Sequence, residues 1–214
     1  MNRNKFNPLA VGVTGGIGSG KTEVCNIFES FGGQVLFADA LAKDLTNTDS
    51  EIKQKLAKEF GSDIFKSDGT LDRSRMAGLV FEDKSLKTKL DKIVHPHVLA
   101  LLKKEISSFK RQANHPVLFV EAALLYEAGA DEMLDYTIVV DAGEEERIKR
   151  LMRRDGTSRA HVLARMESQM PHEEKVKRAD FVIQNSCTLH ELRQKCRFFY
   201  KLLCTIGRAS EVRK

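Results

Sequence analysis

No run of apolar residues in this 214-residue chain approaches the length of a membrane span, so no transmembrane helix is expected. The opening "MNRNKFNPLAVGV" offers no signal peptide, because its apolar part runs straight into a glycine-rich loop. The four cysteines (Cys25, Cys187, Cys196 and Cys204) form no C-x-x-C pair. That argues against a zinc site or a disulfide framework and for a reducing, cytoplasmic compartment. Internal repeats, linkers and low-complexity tracts are lacking too. A hydrophobic share of 42% supports a packed core rather than disorder. Lys plus Arg exceeds Asp plus Glu by 35 to 30. That excess suits nucleic acid, but equally a small polyanionic substrate.

"GVTGGIGSGKTEV" stands close to the start, with Gly15, Gly16, Gly18 and Gly20 crowded before Lys21 and Thr22. Gly15, Gly20, Lys21 and Thr22 satisfy G-x-x-x-x-G-K-[ST], the P-loop pattern. Glycines leave no side chain between backbone and ligand. Consecutive N–H groups can then point at an anion, and the helix that follows presents its positive dipole end to the same place. Lys21 would reach the terminal phosphates of a nucleotide, and the Thr22 hydroxyl would hold Mg²⁺. The context fits. "LAVGV" is a short apolar run, and "KTEVCNIFESF" places Val24, Ile27, Phe28 and Phe31 on one helical face. Cys25 reads as a small buried side chain of that helix. A regulatory GTPase would add D-x-x-G and N-K-x-D, and neither occurs.

Candidate strands are Leu9–Val13, Gln34–Ala38, Val117–Val120, Tyr136–Val140 and Phe181–Gln184. Each is nearly continuous in apolar residues, as strands covered on both faces are. Helical stretches between them predict a doubly wound α/β fold with a five-stranded parallel sheet. Two gaps interrupt the alternation. Residues 40–110 read as a helical insertion, and residues 142–179 as two charged helices joined at "RDGTS", with 142–173 as a lid. The nucleotide-binding core would then comprise residues 1–39, 111–141 and 174–214. "TLHE" predicts a capping box for the last helix, with Thr188 as cap and Glu191 three residues on.

Ligands of open parallel sheets bind beyond the carboxyl ends of strands. There stand Asp39, Glu121, Asp141 and Asn185. Asp39 suits a carboxylate that aligns or deprotonates a hydroxyl attacking the γ-phosphate; capping the next helix is the alternative. Glu121 has the place of an acid that supports Mg²⁺, or is a solvated loop acid. Arg147, Arg150, Arg153, Arg154, Arg159 and Arg165 mark the second gap. They suit a lid that closes over transferring phosphate, or a solvated helix face. A nucleic-acid face ranks last, since no aromatic lies between them for stacking. "HPHV" reads as a helix start, with Pro96 in the first turn and His95 capping or touching substrate. These residues together describe a small-molecule kinase.

Taken together, "TGGIGSGKT", "ADALA", "DGTLDRSRMAGLVF", "HP", "ALLYE", "RRDGTSRAHVLARMESQ" and "ADFVIQN", in this order, resemble the dephospho-coenzyme A kinase family over nearly the whole chain. The resemblance implies ATP with Mg²⁺, and the ribose 3′-hydroxyl of dephospho-coenzyme A as acceptor. It implies a P-loop kinase core, a helical substrate domain in the first gap and a lid in the second. Gly16, Gly18, Ser19, Gly20, Lys21, Thr22 and Glu23 would bind ATP phosphates, with Asn185 near the adenine. Asp39 would be the base or orienting carboxylate. Arg73, His95 and Glu127 would fall near the acceptor, and Arg150 and Arg154 would be lid arginines. A monomer that binds neither nucleic acid nor membrane is expected. Phe37, Ala123 and Glu121 depart from the family's Asp, Pro and Asp. A nucleoside or nucleotide kinase of the same fold and a nucleic-acid-binding P-loop ATPase are the rival readings.

Overall fold

The computed structural model describes residues 7–209. Residues 1–6, part of the opening stretch read for a signal peptide, and residues 210–214 lie outside it. The elements run β1 (Leu9–Thr14), α1 (Lys21–Ser30), β2 (Gln34–Phe37), α2 (Ala38–Thr48), α3 (Ser50–Phe60), α4 (Arg73–Glu82) and α5 (Lys84–Gln112). There follow β3 (Val117–Glu121), β4 (Tyr136–Asp141), α6 (Glu144–Asp155), α7 (Arg159–Glu167), α8 (His172–Arg178), β5 (Phe181–Gln184) and α9 (Leu189–Ala209). All five expected strands are present, with ends shifted by at most one residue. Ala38, expected to close β2, instead opens α2. The chain forms two compact units, residues 38–104 and the remainder.

The larger unit is built on a parallel sheet of order β2-β3-β1-β4-β5, with helices on both faces. β1 lies at its centre and every one of its residues is buried. Alternate residues serve opposite faces. Leu9, Val11 and Val13 join Val24, Ile27 and Phe28 of α1 and Leu192, Cys196 and Leu203 of α9 in one core. Phe28 and Phe119 stack there with ring centroids 4.1 Å apart. Cys25 is fully buried in this core, and burial raises its thiol well above the ordinary range. The capping box holds: Thr188 N–H donates to Glu191 Oε2 at 2.8 Å, and Glu191 N–H to Thr188 Oγ1 at 3.3 Å. β1 leads to β2 on one side of itself, whereas β3 leads across to β4 on the other. The carboxyl ends of adjacent β1 and β3 therefore face a switch point, where open sheets bind ligands. In register there, Val13 pairs with Glu121, and Glu121 with Phe37.

The smaller unit packs Ile52, Leu56, Ile64, Leu71 and Met76 together. Asp49 and Asp72 cap α3 and α4, each accepting two backbone N–H groups. One expectation fails here. Pro96 opens no helix; it lies inside α5, which runs on through it. A proline removes one ladder donor without forbidding helix on either side. One turn back from His97, the Ile93 carbonyl meets His97 Nδ1 at 3.0 Å. His95 is consequently a mid-helix residue, its Nε2 3.5 Å from Asp91.

The second gap also differs from its reading. It holds three helices, not two, because "SQMP" breaks the pattern and α8 starts directly after Pro171. The joint at "RDGTS" is as expected: Gly156 closes α6 in the left-handed region at φ 61°, and Ser158 caps α7. Ile148, Leu151 and Val162 form a small core between α6 and α7, and Ile17 packs against it. Among the described residues, no helix is long and apolar enough to cross a membrane.

Candidate active site

Residues 15–20 turn from the buried end of β1 into α1. Gly20 precedes α1 in the left-handed region, at φ 93°. A β-carbon on it would be strained there and would come 2.3 Å from Asn185 Nδ2. Gly20 supplies no capping side chain at the start of α1, where the positive end of the helix dipole can meet an anion. Lys21 is only 8% exposed, and its Nζ lies 3.1 Å from the Gly15 carbonyl and 3.4 Å from that of Gly16. The hydroxyls of Thr14 and Ser19 are buried without a hydrogen-bond partner. A buried hydroxyl normally has one, so these two are available to a bound polar group. Thr22 and Glu23 are exposed on the first turn of α1.

Two residues from distant parts of the chain hold the outside of the loop. Asn185, buried after β5, donates from Nδ2 to the Ser19 carbonyl at 2.7 Å. Arg150 of α6 donates to the Asn185 carbonyl at 2.9 Å and to the Ser19 carbonyl at 3.4 Å, and pairs with Glu146. Sequence reasoning placed Asn185 near adenine and Arg150 in a lid; their contacts here are with the loop itself.

A second set of contacts was not foreseen. Ile17 N–H donates to Gln169 Oε1, and Gly16 N–H to His172 Nδ1, each at 3.3 Å. Arg147, 5% exposed, donates from Nε to the Ala142 carbonyl at 3.1 Å. Burial pushes its guanidinium down from its ordinary range, partly offset by Glu144, Asp141 and Glu173. His172 and Gln169 gave no signal in sequence, since a lone polar side chain between helices has no periodicity to betray it. Arg147 had one: it sits one turn before the apolar-facing Leu151, on the inner side of α6.

Glu121 ends β3 buried, 6% exposed. Glu127 does not stand open. Its Oε1 accepts from Lys175 Nζ at 2.8 Å and from the Met170 N–H at 2.9 Å. Lys175 is fully buried and also donates to the Ala123 carbonyl at 2.8 Å. Arg154 is exposed and bound bidentately to Asp155, which also accepts from Arg165. Those bonds, Arg154 first, hold the Asp155 carboxyl well below the usual carboxylate range.

The other three candidates lie in the 38–104 unit. Asp39 is exposed in the first turn of α2, inside the helix rather than at its cap position. Arg73 opens α4 and donates to Thr46 Oγ1 at 3.2 Å. His95 lies within α5. Among the described residues, no group of three or more His, Cys, Asp or Glu side chains could hold a metal ion.

Comparison with known proteins agrees with this fold. The family model for dephospho-CoA kinase matches residues 9–191. A dephospho-CoA kinase of Syntrophotalea carbinolica is 38% identical over 187 residues, spanning 87% of this chain and 88% of its own length. A crystal structure from Thermus thermophilus superposes with a TM-score of 0.75 at 39% identity, covering 92% of this chain and 98% of its own. A dephospho-CoA kinase from Campylobacter jejuni gives 0.69 at 30% identity, over 94% of this chain and 98% of its own. With a phosphate loop on the matching sheet and similarity along nearly its whole length, the chain belongs to the dephospho-CoA kinase family.

Proposed function

We propose that this kinase moves the γ-phosphoryl group of ATP to the ribose 3′-hydroxyl of dephospho-coenzyme A, with the loop at residues 15–22 as its phosphate cradle. The observation that carries the reading is that cradle: uncapped helix start, buried Lys21, and the unpartnered hydroxyls of Thr14 and Ser19. Phosphoryl transfer leaves a protein little covalent work, so catalysis is positioning and charge. The acceptor oxygen forms a bond to the γ-phosphorus as the bond to ADP breaks, and the hydroxyl proton leaves to Asp39. Asp39 follows the last residue of β2 by two positions and is exposed, which suits a carboxylate that meets a substrate hydroxyl.

Lys21 offsets negative charge on the transferring group. Arg154 is the further cation for that group, and reaches it by exchanging Asp155 for phosphate. Arg150 and Asn185 keep the loop in shape. Arg73 and His95 belong to the unit that would hold the acceptor, and Glu127 acts through its ties to Lys175 and Met170.

The donors also fit a magnesium ion. Thr22 and Glu121 offer hard oxygens, of the kind that hold such an ion together with phosphate and water. Bound there, Mg²⁺ would neutralise charge on the phosphates. Four free thiols, Cys25 and Cys196 of them buried, suit a reducing, cytoplasmic setting.

ADP release across a panel of acceptors tests the reading. Dephospho-coenzyme A is expected to support turnover, and adenosine, without the pantetheine arm, far less in kcat/KM, because remote binding energy is lost. Efficient use of AMP or a nucleoside, with none of dephospho-coenzyme A, would transfer the site to a nucleotide-type kinase.

A further inference from the structure

Gly16 and Ile17 open the phosphate loop, and the turn before α8 and that helix's first residue together take both of their N–H groups. Gln169 accepts one, His172 the other. On its far side, His172 Nε2 lies 2.6 Å from Asp141 Oδ1. An amide N–H can only donate and an ionised carboxylate can only accept. One imidazole tautomer satisfies both partners, with the proton on Nε2 and the lone pair on Nδ1. Asp141 is held in turn, its Oδ2 accepting from Gln184 Nε2 at 2.7 Å. The ring is thus anchored by the adjacent ends of β4 and β5. Space is tight as well: a β-carbon on Gly16 would come 2.3 Å from Arg147 Nη1 and 3.3 Å from His172 Nδ1.

We propose that His172 is a positioning residue of the phosphate loop: through Nδ1 it fixes the direction of the Gly16 N–H, and with it the start of the segment that binds ATP phosphates. The proposal rests on reading this loop as the ATP site. Asp141 selects the tautomer and Gln184 holds Asp141, so the carboxyl ends of β4 and β5 set the loop's geometry through one imidazole. The contact is made to the loop rather than to the reacting atoms. It therefore supports ATP binding equally in ground and transition states, and acts on KM rather than kcat.

The test compares wild type with His172→Ala, His172→Asn and His172→Gln in the full chain. The amide oxygen of Asn falls near the place of Nδ1, whereas that of Gln reaches toward the place of Nε2. His172→Ala leaves the buried Gly16 N–H without an acceptor, and is expected to raise both KM for ATP and the calorimetric Kd on the order of 10-fold, with kcat within about twofold. His172→Asn should recover most of that loss and His172→Gln should not. Long-range ¹H–¹⁵N spectra of wild type should show the ring protonated on Nε2. ATP binding by His172→Ala equal to wild type, rescue by Gln as good as by Asn, or a ring protonated on Nδ1 would overturn the proposal. So would a fall in kcat with KM and Kd unmoved, the mark of a lost folded fraction alone. Turnover of dephospho-coenzyme A is followed in the same series; its absence with ATP binding intact would remove the acceptor assignment and leave the His172 result standing.

Discussion

Asn185 and Ser19 are 166 residues apart in sequence, yet Asn185 Nδ2 donates to the Ser19 carbonyl at 2.7 Å. The bond closes the back of the phosphate loop, and Gly20 has no side chain because that amide occupies the space. Asn185→Ala leaves the Ser19 carbonyl with only the longer bond from Arg150, a loss of about 0.5–1.5 kcal/mol. KM for ATP should rise by up to about 10-fold, while Asn185→Gln, one methylene too long, should not rescue it. Steady-state kinetics with ATP as the varied substrate reads both variants.

Lys21 Nζ lies against two loop carbonyls, those of Gly15 and Gly16. Lys21→Ala should therefore keep the fold, seen by circular dichroism, and lower kcat by roughly 10²-fold or more. Wild-type turnover by this variant would move the phosphate site elsewhere.

Lys175 and Glu127 form the most deeply buried ion pair described, with the lysine at 0% exposure. Removing one partner strands the other. Glu127→Leu, which leaves the fully buried Lys175 charge without its carboxylate, should cost about 3–5 kcal/mol in urea denaturation. Lys175→Met combined with Glu127→Leu should lose less than that, since no buried charge is left over. A single variant as stable as wild type would mean that the pair contributes nothing to holding this part of the chain.

The joint between α6 and α7 carries a pH dependence of known sign. Arg154 and Arg165 depress the Asp155 carboxyl. A carboxyl with a lower pKa folded than unfolded contributes stability above its unfolded value, and loses it as the pH falls through the folded one. Protection of amides at residues 154–158 against hydrogen exchange should be constant from neutral pH to about pH 4, the ordinary aspartate value, and decline only below it. Protection that weakens between pH 7 and 5 would contradict the network.

Much of the fold was legible because its signals are local. Buried parallel strands are continuous apolar runs, and a P-loop is defined by the spacing of Gly15, Gly20, Lys21 and Thr22. Thr188 and Glu191 announced their helix in four letters. Pro96 misled for a physical reason: its ring favours a first turn but does not forbid an interior position, and only the helix on both sides decides. Pro171 had the converse effect, and the helix it opens was merged with its neighbour. Within the site, spacing alone marked Lys21 as a loop residue, and its Nζ does lie against the loop carbonyls. The partners of the loop were not. Asn185 was flagged for its place after a strand, but its bond to Ser19 joins residues that only the sheet brings together. His172 had no signal until Asp141 and Gly16 stood on either side of its ring.

The central claim is the transfer of phosphate to one particular hydroxyl, and phosphorus NMR of the product tests it most directly. With ATP, Mg²⁺ and dephospho-coenzyme A, the account predicts a new phosphomonoester resonance, coupled to the ribose H3′, that grows as ATP is converted to ADP. Asp39→Asn should form the same product roughly 10²- to 10⁴-fold more slowly. ADP formed without that resonance, or a phosphate on any other oxygen of the acceptor, would contradict it.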